Sequence, residues 1–516
     1  QLRFENTLAA LKTLILAESL RQPVVLHIED GHWLDEESQA FLKQLVEGVE
    51  AYPFVMLVTR RPEGSGETGR LGDWEIGKEG YRIEIRLGSL AIEETGTLAS
   101  EMLNGVVSPE LVTLVQAKAE GNPFFSEQLL RYLQEEGLLE QGADGWQIRT
   151  EQQERLRLPL GAQALLVARL DRLPQSVKEV VQAASVLGRE FDTLVLTEML
   201  RGDTALADKL AVAEQATIWS AMGQARYLFR HALLREAAYE MQLRAQLRSL
   251  HRQAAEAMQT LFAERIEPYY ADLAYHYDRA EVVEAAASWY GKAGEQAATT
   301  YANQEAVRYF SRALELVAPE QGATRFDLLL GRESVYDVLG KVEAQRGDLV
   351  LMKEVAEQLA DARRQAQASL WLTDHLRMTG EYESAFATIQ SAATFAHQAA
   401  DERLLGEIYH QWGRLDWEQG NYGAGKEHLE QALNFAKASQ HQQGEAKSLT
   451  DLASLHFYQG HYTLAEQEYT DALLVYRTLG DRKGEGSSLA MLGTLASQTA
   501  DYETALDYFQ QAQTIF

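Results

Sequence analysis

The chain has no cysteine in 516 residues, which excludes disulfides, thiolate metal centres and cysteine nucleophiles and fits a reducing cytoplasm. It has no apolar run of the roughly 18 residues that a membrane-spanning helix needs. Proline is scarce, at 9 residues against 37 glycines, while hydrophobic residues make up 46% and charged residues 24%. That balance describes a folded, mainly helical protein rather than a disordered one. Positive charge is in deficit too: 48 Lys and Arg face 76 Asp and Glu, a formal net charge of −28. A field of that sign opposes nonspecific attachment to nucleic-acid phosphate or anionic lipid, so any basic surface must be local. At a prior of roughly 150 residues per domain, the chain should divide into about three units.

An internal repeat organises the C-terminal half. GEYESAFATI, GNYGAGKEHL, GHYTLAEQEY and ADYETALDYF begin at Gly380, Gly420, Gly460 and Ala500, 40 residues apart. In each, a tyrosine (Tyr382, Tyr422, Tyr462, Tyr502) opens a helix, and a small residue three places on (Ala385, Gly425, Ala465, Ala505) permits close approach of a neighbouring helix. These tyrosines are expected in the core rather than in a ligand site. AAASWYGKAGEQA and YANQEAVRYFSRALEL form an earlier helix pair. The pattern resembles the tetratricopeptide repeat, which implies an α-solenoid over 265–516 that binds protein partners on its concave face.

The N-terminal third has a different texture. PVVLHIED is a short β-branched run ending in acids, GHWLDEESQAFLKQLVEGV carries helical apolar spacing at Phe41, Leu42, Leu45 and Val49, and FVMLVTRRPE is a second strand. Strand, helix, strand implies a parallel sheet whose ligands gather at the carboxyl ends of the strands, where Glu29, Asp30, Thr59, Arg60 and Arg61 fall. Acids beside arginines suit nucleoside triphosphate chemistry; equally, Asp30 and Asp35 could cap the helix and the arginines pair with surface acids.

VVLHIEDGHWLDEES with VMLVTRRPE resembles the Walker B and sensor segments of the STAND class of AAA-like signalling ATPases, especially bacterial regulators in which tetratricopeptide repeats follow the ATPase. The match departs at Gly31, where a larger apolar residue is usual. The resemblance implies that Glu29 and Asp30 hold Mg²⁺ through water, and that Thr59, Arg60 and Arg61 serve the terminal phosphate of ATP. EGNPFFSEQLLRYLQEEGLL is similar to the helical lid of the class, which would bring Gly121, Asn122 and Pro123 near the adenine; read from the residues alone, Asn122 caps and Pro123 starts a helix. YLFRHALLREAAYE resembles the segment whose histidine contacts the ADP phosphates, which carries over to His231 only, since Arg230 and Ala232 stand where Met and Asp are usual. Ser176 and Glu179 have the spacing of a capping box at the start of a winged-helix-like region, whose surroundings are acidic and whose basic residues are not clustered. The implied architecture is multidomain and mainly α: half of an AAA-like core at 1–105, a helical lid at 106–155, a winged-helix-like region at 156–264 serving as a switch lever, and the solenoid at 265–516.

A phosphate-binding loop is missing. GSGETGRLG at 64–72 has the glycine spacing, but Arg70-Leu71 stands where Lys-Ser/Thr is needed. It reads as a flexible surface loop. Gln1 stands inside a helical pattern, so the loop is expected upstream, and nucleotide affinity without it should be weak. The resemblance implies an ATP/ADP switch driving an output domain such as a nucleotide cyclase, a kinase or a DNA-binding domain. The alternative from another class is a non-catalytic scaffold with a decayed ATPase region, and a third, DNA binding by the winged helix, predicts steep salt dependence.

Overall fold

The computed structural model describes residues 2–29, 31, 34, 36–49, 51–60, 83, 85–142, 145–149, 162–223 and 225–515. The chain divides into two compact units, Gln1–Arg172 and Leu173–Phe516. No helix among the described residues is long and apolar enough to cross a membrane.

The first unit runs α1 (Leu2–Arg21), β1 (Val24–Ile28), α2 (Glu36–Val46), β2 (Phe54–Val58), α3 (Ile92–Met102), α4 (Pro109–Ala119), α5 (Pro123–Glu135), β3 (Leu139–Gly142), β4 (Gly145–Ile148) and α6 (Ala162–Asp171). β1 and β2 pair in parallel with Val24 opposite Phe54 and Ile28 opposite Val58. Leu42 and Leu45 of the expected helix are buried, and α2 ends before Val49, where Gly48 turns with φ +75°. Lys12 of α1 donates to the carbonyls of Gln44 (2.6 Å) and Glu47 (2.7 Å), placing a cation on the negative end of α2. α3, α4 and α5 enclose a separate core of Ala99, Leu103, Leu111, Val115, Leu129 and Leu133. The β3–β4 hairpin covers it, and the Trp146 indole donates to the Leu103 carbonyl at 3.0 Å.

The second unit begins with α7 (Gln175–Leu187), β5 (Glu190–Asp192), α8 (Thr193–Met199), α9 (Leu206–Gln215), β6 (Trp219–Ala221), β7 (Arg226–Phe229), α10 (Ala232–Glu240) and α11 (Arg244–Leu261). Its antiparallel sheet has the order β5-β7-β6. Phe191, Trp219 and Phe229 pack with ring centroids 5.2–5.6 Å apart, within the range of favourable edge and tilted contacts. The expected Ser176–Glu179 capping box is not formed: α7 starts at Gln175 with Pro174 as its N-cap. The Pro174 carbonyl takes the first amide, that of Val177, at 2.8 Å, and Glu179 accepts instead from the Gln175 side chain at 3.0 Å.

Helices then follow without interruption: α12 (Tyr270–Arg279), α13 (Val283–Thr299), α14 (Asn303–Leu316), α15 (Gly322–Val338), α16 (Val342–Gln358), α17 (Ala362–Met378), α18 (Tyr382–Ala399), α19 (Glu402–Glu418), α20 (Tyr422–Ala438), α21 (Gln442–Tyr458), α22 (Tyr462–Leu479), α23 (Arg482–Gln498) and α24 (Tyr502–Ile515). Left-handed residues punctuate them every 20 positions from Gly340 to Ala500; φ is +79° at Gly380, Gly420 and Gly460, and Ala360, Ala400 and Gln440 accept the same conformation without being glycine. Ala385, Gly425, Ala465 and Ala505 are buried as expected. The tyrosines are not. Tyr422 is 46% and Tyr502 70% exposed, and Tyr382 and Tyr462 are half-buried. A side chain in the first turn of a helix leans back over the loop before it, so it covers the rim of the pair rather than the seam between helices.

Candidate functional site

The strand edge is built by the parallel ladder continuing past the ends of both strands. Thr59 N–H donates to the Ile28 carbonyl at 2.9 Å, and Gly31 N–H donates to the Thr59 carbonyl at 2.8 Å. These bonds hold Glu29 level with Thr59 and Arg60, and all three are exposed at the carboxyl edge. A carboxylate on one strand and a guanidinium beyond its neighbour can serve a hydrated cation and a phosphate, respectively. Among the described residues no cluster of three or more His, Asp or Glu forms a metal cage. Asp30, Arg61 and the 64–72 loop lie outside the described residues. At Gly31, the departure from the usual apolar residue has a steric cause: a Cβ there would stand 2.6 Å from Val58 Cγ1.

Gly121, Asn122 and Pro123 join α4 to α5. Gly121 is buried with φ +73°, and its carbonyl accepts from Leu90 N–H at 2.7 Å. The Asn122 side chain accepts from Phe125 N–H at 3.0 Å and Pro123 is the first helical residue. This is the capping role read from the residues. Sequence reasoning missed Gln116, which donates to the Leu90 carbonyl at 3.0 Å and accepts from the Thr95 hydroxyl at 2.5 Å. It straps the segment before α3 onto α4, and nothing in its sequence position signals that.

His231 belongs to the second unit. It is the N-cap residue of α10, extended at φ −135° and ψ 135°, and half-buried. The preceding amides fix it: Phe229 N–H donates to Arg189 O at 2.9 Å and Arg230 N–H to Ile218 O at 3.1 Å. The imidazole thus follows directly from the end of β7.

Residues 444–516 match the tetratricopeptide repeat family. An uncharacterized protein of Rhizobium meliloti (strain 1021) is 26% identical over 320 residues, covering 60% of this chain and 30% of that protein; the chain thus spans about a third of the curated relative it matches. The crystal structure of a Signal Transduction ATPase with Numerous Domains (STAND) protein with a tetratricopeptide repeat sensor, from Pyrococcus horikoshii, aligns with 98% of this chain and 70% of its own, with a TM-score of 0.52 at 15% identity. The chain is similar in fold to that structure.

In the second unit, a buried polar chain near the start of the repeats also escaped the sequence. The Tyr239 hydroxyl lies 3.0 Å from His251 Nε2, and His251 Nδ1 lies 2.9 Å from His276 Nδ1. Burial, with each other's charge as a second cause for His251, holds the two imidazoles down, to about 3 for His251 and about 4 for His276. Burial disfavours the charged form of both rings, and the Nδ1–Nδ1 contact requires one of the two nitrogens to be unprotonated. Along the repeats, the last residues of α15, α17 and α21 (Val338, Met378 and Tyr458) are 63%, 72% and 69% exposed. The equivalent last residues of α19 and α23 are Glu418 and Gln498.

Proposed function

We propose that this chain is the nucleotide-switch and partner-sensing portion of a cytoplasmic STAND-type signal-transduction ATPase. Glu29 and Asp30 hold Mg²⁺ through water, Thr59, Arg60 and Arg61 serve the terminal phosphate, Gly121, Asn122 and Pro123 border the adenine, and His231 contacts the ADP phosphates. The repeats bind protein partners, and their state passes to an output domain, a nucleotide cyclase, a kinase or a DNA-binding domain. The observation that carries this reading is the level placement of Glu29 with Thr59 and Arg60 at the carboxyl edge of a parallel pair, in a chain that shares the STAND fold over 98% of its length. The α7-β5-α8-α9-β6-β7 order with its antiparallel sheet supports the winged-helix lever. Bound Mg²⁺ would supply charge neutralisation between the phosphates.

With no Gly-x-x-x-x-Gly-Lys-Ser/Thr loop in the sequence, calorimetric titration should give a Kd for Mg-ADP on the order of 0.1–1 mM. A Glu29→Ala/Asp30→Ala variant should raise it at least about tenfold, and His231→Ala several-fold, because each removes a charged or hydrogen-bonding contact to the phosphates or their cation. Binding that is equal in all three proteins would refute the site assignment. A complete lack of binding at about 10 mM nucleotide would refute the switch and leave the scaffold reading, which the family match at 444–516 favours.

A further inference from the structure

Arginines that lie far apart in sequence converge on one cleft in the second unit. A cavity of about 670 Å³ opens between α10, α11, α12, α13 and α14. Its charged lining is Arg244, Arg248, Arg279 and Arg312 against Asp278 and Glu281. Four guanidinium groups thus face two carboxylates in a protein whose formal charge is −28. Arg244 and Arg248, which fall in the winged-helix-like region, thus depart from the expectation that its basic residues are not clustered.

The partners of these arginines are unevenly shared. Arg244 and Arg248 both pair with the single carboxylate of Glu281, Arg244 at 2.6 Å. Arg312 grips Asp278 with two bonds of 2.9 Å and reaches Glu315 at 2.7 Å. Arg279 lies over the Tyr275 ring at 5.4 Å, a cation–π contact that leaves its N–H donors available. The Nε of Arg248 is buried without a hydrogen-bond acceptor, an arrangement that native proteins seldom leave unfilled. Tyr239 and Tyr290 add hydroxyls to the wall, and the Tyr290 hydroxyl donates to Asp278 at 3.3 Å. Arginine forks match the geometry of phosphate and carboxylate oxygens, and a cleft of this volume is the size of a small-molecule site.

We propose that this cleft binds a small, multiply charged oxyanion, with Arg248 and Arg279 as its principal contacts and Arg244 and Arg312 at its margins. Such a ligand bridges α11 to α12 and α14, and so ties the helix that follows the β5-β7-β6 region to the first helices of the array. The site shares no residue with the strand edge carrying Glu29 and does not depend on nucleotide binding there.

The test is calorimetric titration of the full chain with inorganic pyrophosphate and, separately, with citrate, which distinguishes a phosphoryl from a carboxylate source. One of the two should bind with a Kd below about 1 mM and raise the melting temperature. Arg279→Gln, which breaks no ion pair, should weaken that binding at least about tenfold, and Arg248→Gln/Arg279→Gln should abolish it. Arg226→Gln on the β5-β7-β6 sheet should leave it unchanged. Absence of binding by either anion at about 10 mM, equal affinity in Arg279→Gln, or an affinity that falls in Glu29→Gln but not in Arg279→Gln would overturn the proposal.

Discussion

At Gly121 the backbone turns with φ +73°, and a methyl group there would meet the Leu90 carbonyl oxygen at 2.6 Å and the Ser89 Cβ at 2.9 Å. Gly121→Ala combines a left-handed alanine with a backbone clash and should destabilise the first unit by about 2–3 kcal/mol in denaturant unfolding. An unchanged midpoint would mean that the Leu90 segment yields freely. The neighbouring Asn122 and Pro123 were legible in the sequence because capping is local chemistry: the carboxamide bonds an amide three residues on. The need for glycine at 121 was not, since it is set by a strand of chain some 30 residues earlier. His251 and His276 carry a pH prediction. Their folded pKa values lie below the unfolded value near 6.5, so the folded state binds fewer protons, and stability present above about pH 6.5 falls as pH drops toward 4 and 3. Tyr239, Tyr275, Arg235 and Arg279 surround the pair, and the two arginines push His251 in the same direction. His251→Gln should flatten the loss of melting temperature between pH 6.5 and 4; an unaltered slope would place the acid sensitivity elsewhere.

The repeat helices were the most legible elements, because a 40-residue period repeats the same two faces and needs no long-range information. Close packing follows from the small residues it preserves. Gly413 and Gly425 let α19 and α20 approach until an added Cβ on Gly413 would lie 2.6 Å from Leu429 Cγ and 3.0 Å from the Gly425 carbonyl. Gly413→Val should therefore cost about 1–3 kcal/mol, or more if the pair separates, measured as the denaturant midpoint of the full chain. The repeat tyrosines show where a pattern misleads: a fixed position signals a fixed geometry, which here is the exposed first turn of a helix. The Ser176–Glu179 spacing misled for a related reason, as Pro174 had already started α7 two residues earlier than the box required. β1 and β2 were legible from their β-branched runs and bounding turns, whereas the Arg cleft was not, since its residues come from α11, α12 and α14 and only the tertiary fold brings them together.

For the whole molecule, the charge of −28 predicts that DNA binding is undetectable even at low salt, the condition that most favours it. Measurable binding in about 50 mM salt would contradict the assignment of the β5-β7-β6 region as a lever. The central claim is that the residues assigned to the nucleotide take part in binding it. Hydrogen exchange of the full chain, with and without saturating Mg-ADP, tests it most directly. The account predicts slower exchange in residues 24–29 and 54–60 and also around His231. Exchange unchanged in both places would contradict it.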